Sequence, residues 1–253
     1  EAKIETRGKV ILVADVGEEG PGNLRGMREL FNNGYKGKID QFISVDGLGF
    51  GVAARAVGSK RYNVVFTGPG GHSYGAFGAV PSAIHAMGRA IANIGDLVPP
   101  AGIKTTYNVG IVKGGTSVNT ISPGAAMEVD MRSESVDNLE KMDQLIHGAI
   151  EKGLAAENAR WSRAPAKITV KYDTIGIRPV GRVPQNDSTP IIKVALDAAR
   201  AIGETSRTDA GSTDSNLAMS MGIPAMTLGG GGRGGNAHAA GEWYDDGATG
   251  YKG

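Results

Sequence analysis

Cysteine is absent from the 253 residues, which excludes disulfide bonds and thiolate metal ligands, so any metal here rests on His, Asp and Glu. An excess of charge of either sign is absent too: 27 Lys and Arg face 26 Asp and Glu, a net charge of +1. That balance gives no electrostatic footprint for nucleic acid or an anionic membrane, and the expected ligand is a small molecule. No apolar run approaches the roughly 18 residues that a membrane span needs, and the charged start EAKIETRGK is no signal peptide. A cytoplasmic location is the expectation, unless an upstream targeting segment has been lost. The chain opens on Glu1 rather than Met, the mark of a processed product or a fragment. Internal repeats and coiled-coil heptads are missing.

What is present is a hydrophobic content of 40%, enough for a packed core in a chain comfortable for two domains. Glycine is in excess: 40 residues, about 16% against a usual share of roughly 7%. It collects in TGPGGHSYGAFG (67–78), GGTSVNTISPG (114–124) and LGGGGRGGNAHAAGE (228–242), where polar residues cluster between periodic segments, as they do in site loops. Periodicity predicts a buried strand over 9–15, a helix over 23–33 and a strand over 39–46, an α/β pattern. From about residue 60 it changes to strand 62–67, helix 80–97 with Ile84, Met87, Ile91 and Ile94 as its stripe, strands 104–112 and 125–131, helix 136–151 and strand 167–173. This βαββαβ order is that of a ferredoxin-like unit. A proline-containing connector follows, and then helices 188–202 and 213–220 and the short strand IPAMTL restore the α/β pattern. The expected division is 1–59 and 176–253 for an interrupted α/β domain and 60–175 for a unit inserted into it.

Glu18 and Glu19 stand together in VADVGEEGPG, after the apolar run. Adjacent side chains diverge on a strand and lie about 100° apart on a helix, so two neighbouring carboxylates converge only across an irregular turn, which Gly17 and Gly20 permit. One carboxylate of such a pair can ligate a metal while the other serves as general base toward a metal-bound water. A solvated Glu-Glu in a surface loop is the plainer alternative. Asp46 again ends an apolar strand, in FISVDG, where simple turn chemistry is the competing account. His238 stands in the glycine-rich GGNAHAAGE; with hard carboxylates a neutral imidazole suits Zn, Mn or Co, and a solvent-exposed loop histidine is the alternative. His72 lies in a glycine turn before a helix, whereas His85 and His147 sit on helices as structural or surface residues.

The segments VADVGEEGPGNLRG, FISVDG, FTGPGGHSYGAFG, GGTSVNTISPGAAMEVDMRS, GSTDSN and GIPAMTLGGGGRGGNAHAAGEWYD, in this order, resemble the M20 family of metallopeptidases, in the manner of its peptidase T-like branch and its aminoacylases. The resemblance implies a zinc-exopeptidase-like αβα catalytic domain, partial and discontinuous, with an inserted ferredoxin-like lid that also forms a homodimer. It implies Glu18 as general base, Glu19, Asp46 and His238 as metal ligands, and two divalent ions, zinc first and manganese or cobalt as alternatives. His72 would reach the partner subunit's substrate and stabilise its oxyanion. Asn119 and Arg132 would contact the substrate, the arginine as a carboxylate fork. The loop around Gly231 and Gly232 would offer backbone N–H groups to a terminal carboxylate.

The family's H-x-D segment, which supplies a ligand histidine and a bridging aspartate, occurs nowhere in the sequence. The expectation is therefore an incomplete chain lacking the N-terminal part of its catalytic domain. Two readings follow: a dinuclear metal-dependent hydrolase of amide bonds in small peptides or N-acyl amino acids, or a non-catalytic dimerising scaffold. A phosphate cradle in the glycine loops is disfavoured, because the G-K-[ST] of a P-loop is missing.

Overall fold

The computed structural model describes residues 5–237, 239–248 and 250–252. In chain order its elements are α1 (Arg25–Glu29), continued by a π-helical turn over Leu30–Gly34, β1 (Phe42–Val45), β2 (Val52–Ala56), β3 (Gly58–Thr67), the short β4 (Gly71–His72), α2 (Ala83–Gly95), β5 (Thr105–Gly114) and the short β6 (Thr120–Ile121). They continue with β7 (Gly124–Ser133), α3 (Val136–Arg160), β8 (Thr169–Arg178), α4 (Pro190–Ala201), β9 (Thr208–Gly211), α5 (Ser215–Ser220), β10 (Ala225–Leu228), β11 (Arg233–Gly235) and β12 (Trp243–Asp245).

Alternation along β7, where Ala125, Met127, Val129 and Met131 are buried and their neighbours half-buried, makes one face of a sheet apolar. That sheet is antiparallel with order β5-β7-β3-β8, the ferredoxin-like arrangement. Its apolar face is covered by α2 and α3, which start on Ser82 and Ser135; each serine oxygen accepts an N–H from the first turn. The expected stripe on α2 is rotated: Ala83, Ala86, Met87, Ala90 and Ile94 are buried, while Ile84 is exposed. Small residues face the neighbouring helix because the two approach closely; a Cβ on Gly153 of α3 would lie 2.5 Å from the Ala90 nitrogen. Helix α3 also runs on to Arg160, beyond the expected end at 151, because Gly153 serves this crossing rather than a stop. Glu157, fully buried in its extension, accepts hydrogen bonds from the Ser82 N–H (3.2 Å), Arg89 Nε (3.1 Å) and Trp161 Nε1 (2.9 Å).

The second sheet has order β1-β10-β2-β9, parallel between β1 and β10 and between β2 and β9, antiparallel between β10 and β2. Neighbouring residues of β10 point to opposite faces: Ala225 packs with Leu24, Met27, Phe31 and Leu217 of the α1 and α5 layer, and Met226 with Ile191, Ile192 and Leu196 of α4. The result is an αβα sandwich. The expected strand over 9–15 is not formed. The segment pairs with no strand among the described residues, and Val10, Leu12 and Val13 are 70%, 93% and 47% exposed. An apolar run becomes a buried strand only when flanking strands complete its ladder, and this one pairs with none among the described residues. The ferredoxin-like sheet begins at Gly58 and ends at Arg178. No helix among the described residues is long and apolar enough to cross a membrane.

Candidate active site

The loop holding the two glutamates is folded tightly on itself. The Leu24 N–H reaches Gly17 O (2.9 Å) and the Gly26 N–H reaches Val16 O (3.2 Å), while Asn23 and Leu24 adopt left-handed backbone. Gly26 has no room for a side chain: its Cβ would stand 1.9 Å from Asp15 Oδ1. Inside this turn the carboxylates diverge. Glu19 is exposed, whereas the half-buried Glu18 accepts a 2.5 Å bond at Oε1 from Nη1 of Arg178, a residue 6% exposed. Nη2 of Arg178 donates to the main-chain oxygen of Glu18, and Nη1 also donates to Ser212 O at 2.8 Å.

Two further carboxylates lie beside this pair. Asp214, 7% exposed, sits at the start of α5, and Asp15 approaches it within hydrogen-bonding reach. Burial, then the Asp15 charge and hydrogen bond, then Glu18 push the Asp214 carboxyl up to about 7, with Arg178 pulling it down. Asp15 Oδ2 and Asp214 Oδ1 are buried without another partner among the described residues.

Asp46 and the glycine loop come together elsewhere, at the carboxyl ends of the parallel pair β1 and β10. The Asp46 N–H bonds Leu228 O (2.9 Å), Gly230 N–H bonds Gly47 O (3.2 Å), and Gly231 and Gly49 exchange two bonds of 2.9 Å. The carboxylate of Asp46 is exposed. The N–H of Gly231 is thus engaged within the protein, and Gly232, at φ 63°, is held against Tyr244, whose hydroxyl would lie 2.5 Å from an added Cβ. His238 lies outside the described residues. Among the described residues no three His, Asp or Glu side chains group as a metal site, so Glu18, Glu19 and Asp46 do not form a cage by themselves.

The remaining candidates divide between the two ends of the ferredoxin-like sheet. The exposed His72 pairs with Thr120 across β4 and β6, and its Nδ1 faces the N–H groups of Tyr74 and Gly75 at 3.3 Å. Asn119 adjoins it, accepting the Ser73 N–H at 2.9 Å. Arg132 is paired with Ser59 in the ladder, and Ser59 in turn with Arg178, so Arg132 lies at the Glu18 end. There it donates to Asp130 at 2.8 Å, a carboxylate shared with Arg61 at 2.7 Å. From Ser59 to Thr67, at the His72 end, is eight residue steps, about 27 Å at roughly 3.4 Å per step. Asn119 and Arg132, expected as a pair, are therefore held apart in one chain. Arg178, Asp15 and Asp214 are absent from the sequence-based candidate set; the only signal for Arg178 is an Arg-Pro step that ends a strand.

Residues 55–158 match a family model described as a peptidase dimerisation domain, M20_dimer. Among curated proteins the chain is similar to an indole-3-acetyl-aspartic acid hydrolase of Enterobacter agglomerans, 28% identical over 182 residues, which are 65% of this chain and 41% of that protein. Among solved structures it is similar to aminopeptidase PepT of Bacillus cereus, with a TM-score of 0.70 and 23% identity over 90% of this chain and 57% of that one. It is also similar to YxeP of Bacillus subtilis, described as a dinuclear metal binding peptidase, with a TM-score of 0.57 and 18% identity over 88% of this chain and 57% of that one. The chain thus spans about half the length of these relatives, between 41% and 57%. Residues 55–158 thus match an M20 peptidase dimerisation domain, and along most of its length the chain shares its fold with such enzymes.

Proposed function

We propose that the protein is a metal-dependent amide hydrolase acting on small peptides or N-acyl amino acids as a homodimer. The dimerisation domain over 55–158, within a fold shared with an aminopeptidase, carries this reading. Residues 60–175 are assigned to the lid, and 1–59 with 176–253 to the catalytic domain. Glu18 is the general base, supported by its half-buried carboxylate backed by Arg178. Glu19, Asp46 and His238 are assigned as ligands of two divalent ions, with zinc first and manganese or cobalt as alternatives; this assignment rests on the sequence pattern. His72 and Asn119 serve the partner subunit's site and Arg132 its own, in keeping with their opposite ends of the sheet.

The test is hydrolysis of trialanine and of indole-3-acetyl-aspartate by the intact protein with each metal, alongside elemental analysis after gel filtration. Glu18→Gln should keep its metal and lose on the order of a hundredfold to ten-thousandfold in kcat. Asp46→Ala and His238→Ala should lose metal and activity together. A second reading, a dimerising scaffold without catalysis, rests on the dimerisation-domain match over 55–158 alone. Absence of turnover and of bound metal in the intact protein would select it.

A further inference from the structure

We propose that Arg178 is the positioning residue for Glu18, holding from the end of β8 the carboxylate that serves as general base; the inference rests on that reading of Glu18. A guanidinium at 6% exposure is costly to bury unless its donors are used. Two of the guanidinium nitrogens of Arg178 are used: Nη1 takes Oε1 of Glu18 at 2.5 Å and Ser212 O at 2.8 Å, and Nη2 takes the Glu18 main-chain oxygen, while Nε is buried without a partner among the described residues. Main chain and side chain of Glu18 are thereby fixed by one planar fork, a geometry that the point charge of lysine does not reproduce. Oε2 has no such bond among the described residues and is the oxygen left to receive a proton.

The origin of Arg178 makes this more than a local pair. It is the last residue of β8, opposite Ser59 in the ladder, and Pro179 keeps its backbone extended. The glutamate loop is docked onto the same strand end. Asn23 Oδ1 accepts the Ile177 N–H at 2.9 Å, and Arg28 donates through Nη2 to Ile177 O at 2.6 Å. Arg178 also donates to Ser212 O, so one side chain joins the lid sheet, the base and the loop that leads to Asp214.

Kinetics of the intact protein on trialanine or indole-3-acetyl-aspartate, whichever is turned over, test the role through a double-mutant cycle. R178A should lower kcat by at least about tenfold, with KM changed less than about threefold, and R178K should recover part of that loss. In the Glu18→Gln background R178A should cost less than about twofold, because a residue acting through Glu18 has nothing left to position. An equal cost in both backgrounds, or an unchanged kcat in R178A, overturns the positioning role. Near-normal kcat in Glu18→Gln alone overturns the base assignment, and with it this inference. If R178A does not fold, R178K is read in the same cycle. Unfolding of both assigns Arg178 to the fold alone and overturns the proposal.

Discussion

Replacing His72 by Ala in one population of the intact protein and Glu18 by Gln in another gives two variants that should each be nearly inactive and yet restore one another. Glu18 lies at the Ser59 end of the ferredoxin-like sheet, tied there by Arg178, and His72 lies beyond Thr67, eight steps or about 27 Å along the same strands at roughly 3.4 Å per step. An imidazole reaches only a few ångströms from its backbone, so the His72 of one chain cannot touch a substrate held at its own Glu18. Through a twofold dimer it can meet the other subunit's. Loss of an oxyanion donor costs on the order of a hundredfold to a thousandfold, and loss of the base a similar or larger factor. After mixing in equal amounts with full subunit exchange, half the dimers are mixed, and each has one site with both an intact Glu18 and a partner's His72. About a quarter of wild-type activity should return, a counting estimate for symmetric pairing. The assay is steady-state hydrolysis on mixing, with exchange followed by native mass spectrometry of differently tagged subunits. If mixed dimers form and no activity returns, His72 does not act across the interface, and its bonds to Tyr74 and Gly75 make it a turn residue before the lid helix.

Asp214 carries a pH dependence. Its carboxyl is raised from 3.8 to about 7, so the folded state holds a proton that the unfolded state releases, and the stability from this group, full below about pH 4, is lost as pH rises through 7. Asp214→Asn should therefore raise the melting temperature relative to wild type more at pH 8 than at pH 5; equal differences at the two pH values would refute the burial argument. Gly153→Ala would place a Cβ 2.5 Å from the Ala90 nitrogen, and this overpacking should cost about 1–3 kcal/mol in denaturant unfolding; an unchanged midpoint would show that α2 and α3 can part freely. Glu157→Ala leaves the buried Ser82 N–H without its acceptor, while Arg89, 42% exposed, turns to water; the loss should be about 1–3 kcal/mol, and an unchanged unfolding midpoint would make the buried acid dispensable.

The βαββαβ unit was legible because each of its elements carries its own signal: alternation in YNVVF and AAMEV, a helical stripe after Ser82, another after Ser135. Placement along the unit was legible too, but rotation was not. The period of α2 pointed to Ile84, and the structure chose Ala83, Ala86 and Ala90 because close helix contact rewards small side chains that periodicity counts as weak. The run over 9–15 failed for the opposite reason: its composition is that of a buried strand, but burial belongs to a ladder and depends on neighbours. Strands β2 and β9 were missed because VAARA and TDAG are short and carry charge or glycine. At the site, the carboxylate positions were visible in the sequence, and their partners were not. Glu18 and Arg178 are 160 residues apart, and no local pattern states which of many arginines will meet a given glutamate.

The junction between the two sheets shows why the lid and the glutamate loop form one mechanical unit. The chain crosses between them twice, from Ala56 to Gly58 and after Arg178, and at both crossings side chains bind the main chain. Asn216 donates to Val57 O at 2.8 Å and to Pro179 O at 3.0 Å, bridging the two crossings directly. Arg28 and Asn23 hold both polar groups of Ile177, and Arg178 holds Glu18. Rotation of the lid about residues 57 and 179 would break these bonds together, those of Asn216 and Arg178 at part-buried sites and those to Ile177 at exposed ones. These bonds oppose hinging at the crossings and couple the lid sheet to the loop of Glu18. In a dimer built through the lid, the distance from one subunit's Glu18 to the other's His72 would then depend on the lid-to-lid contact and on the length of β3.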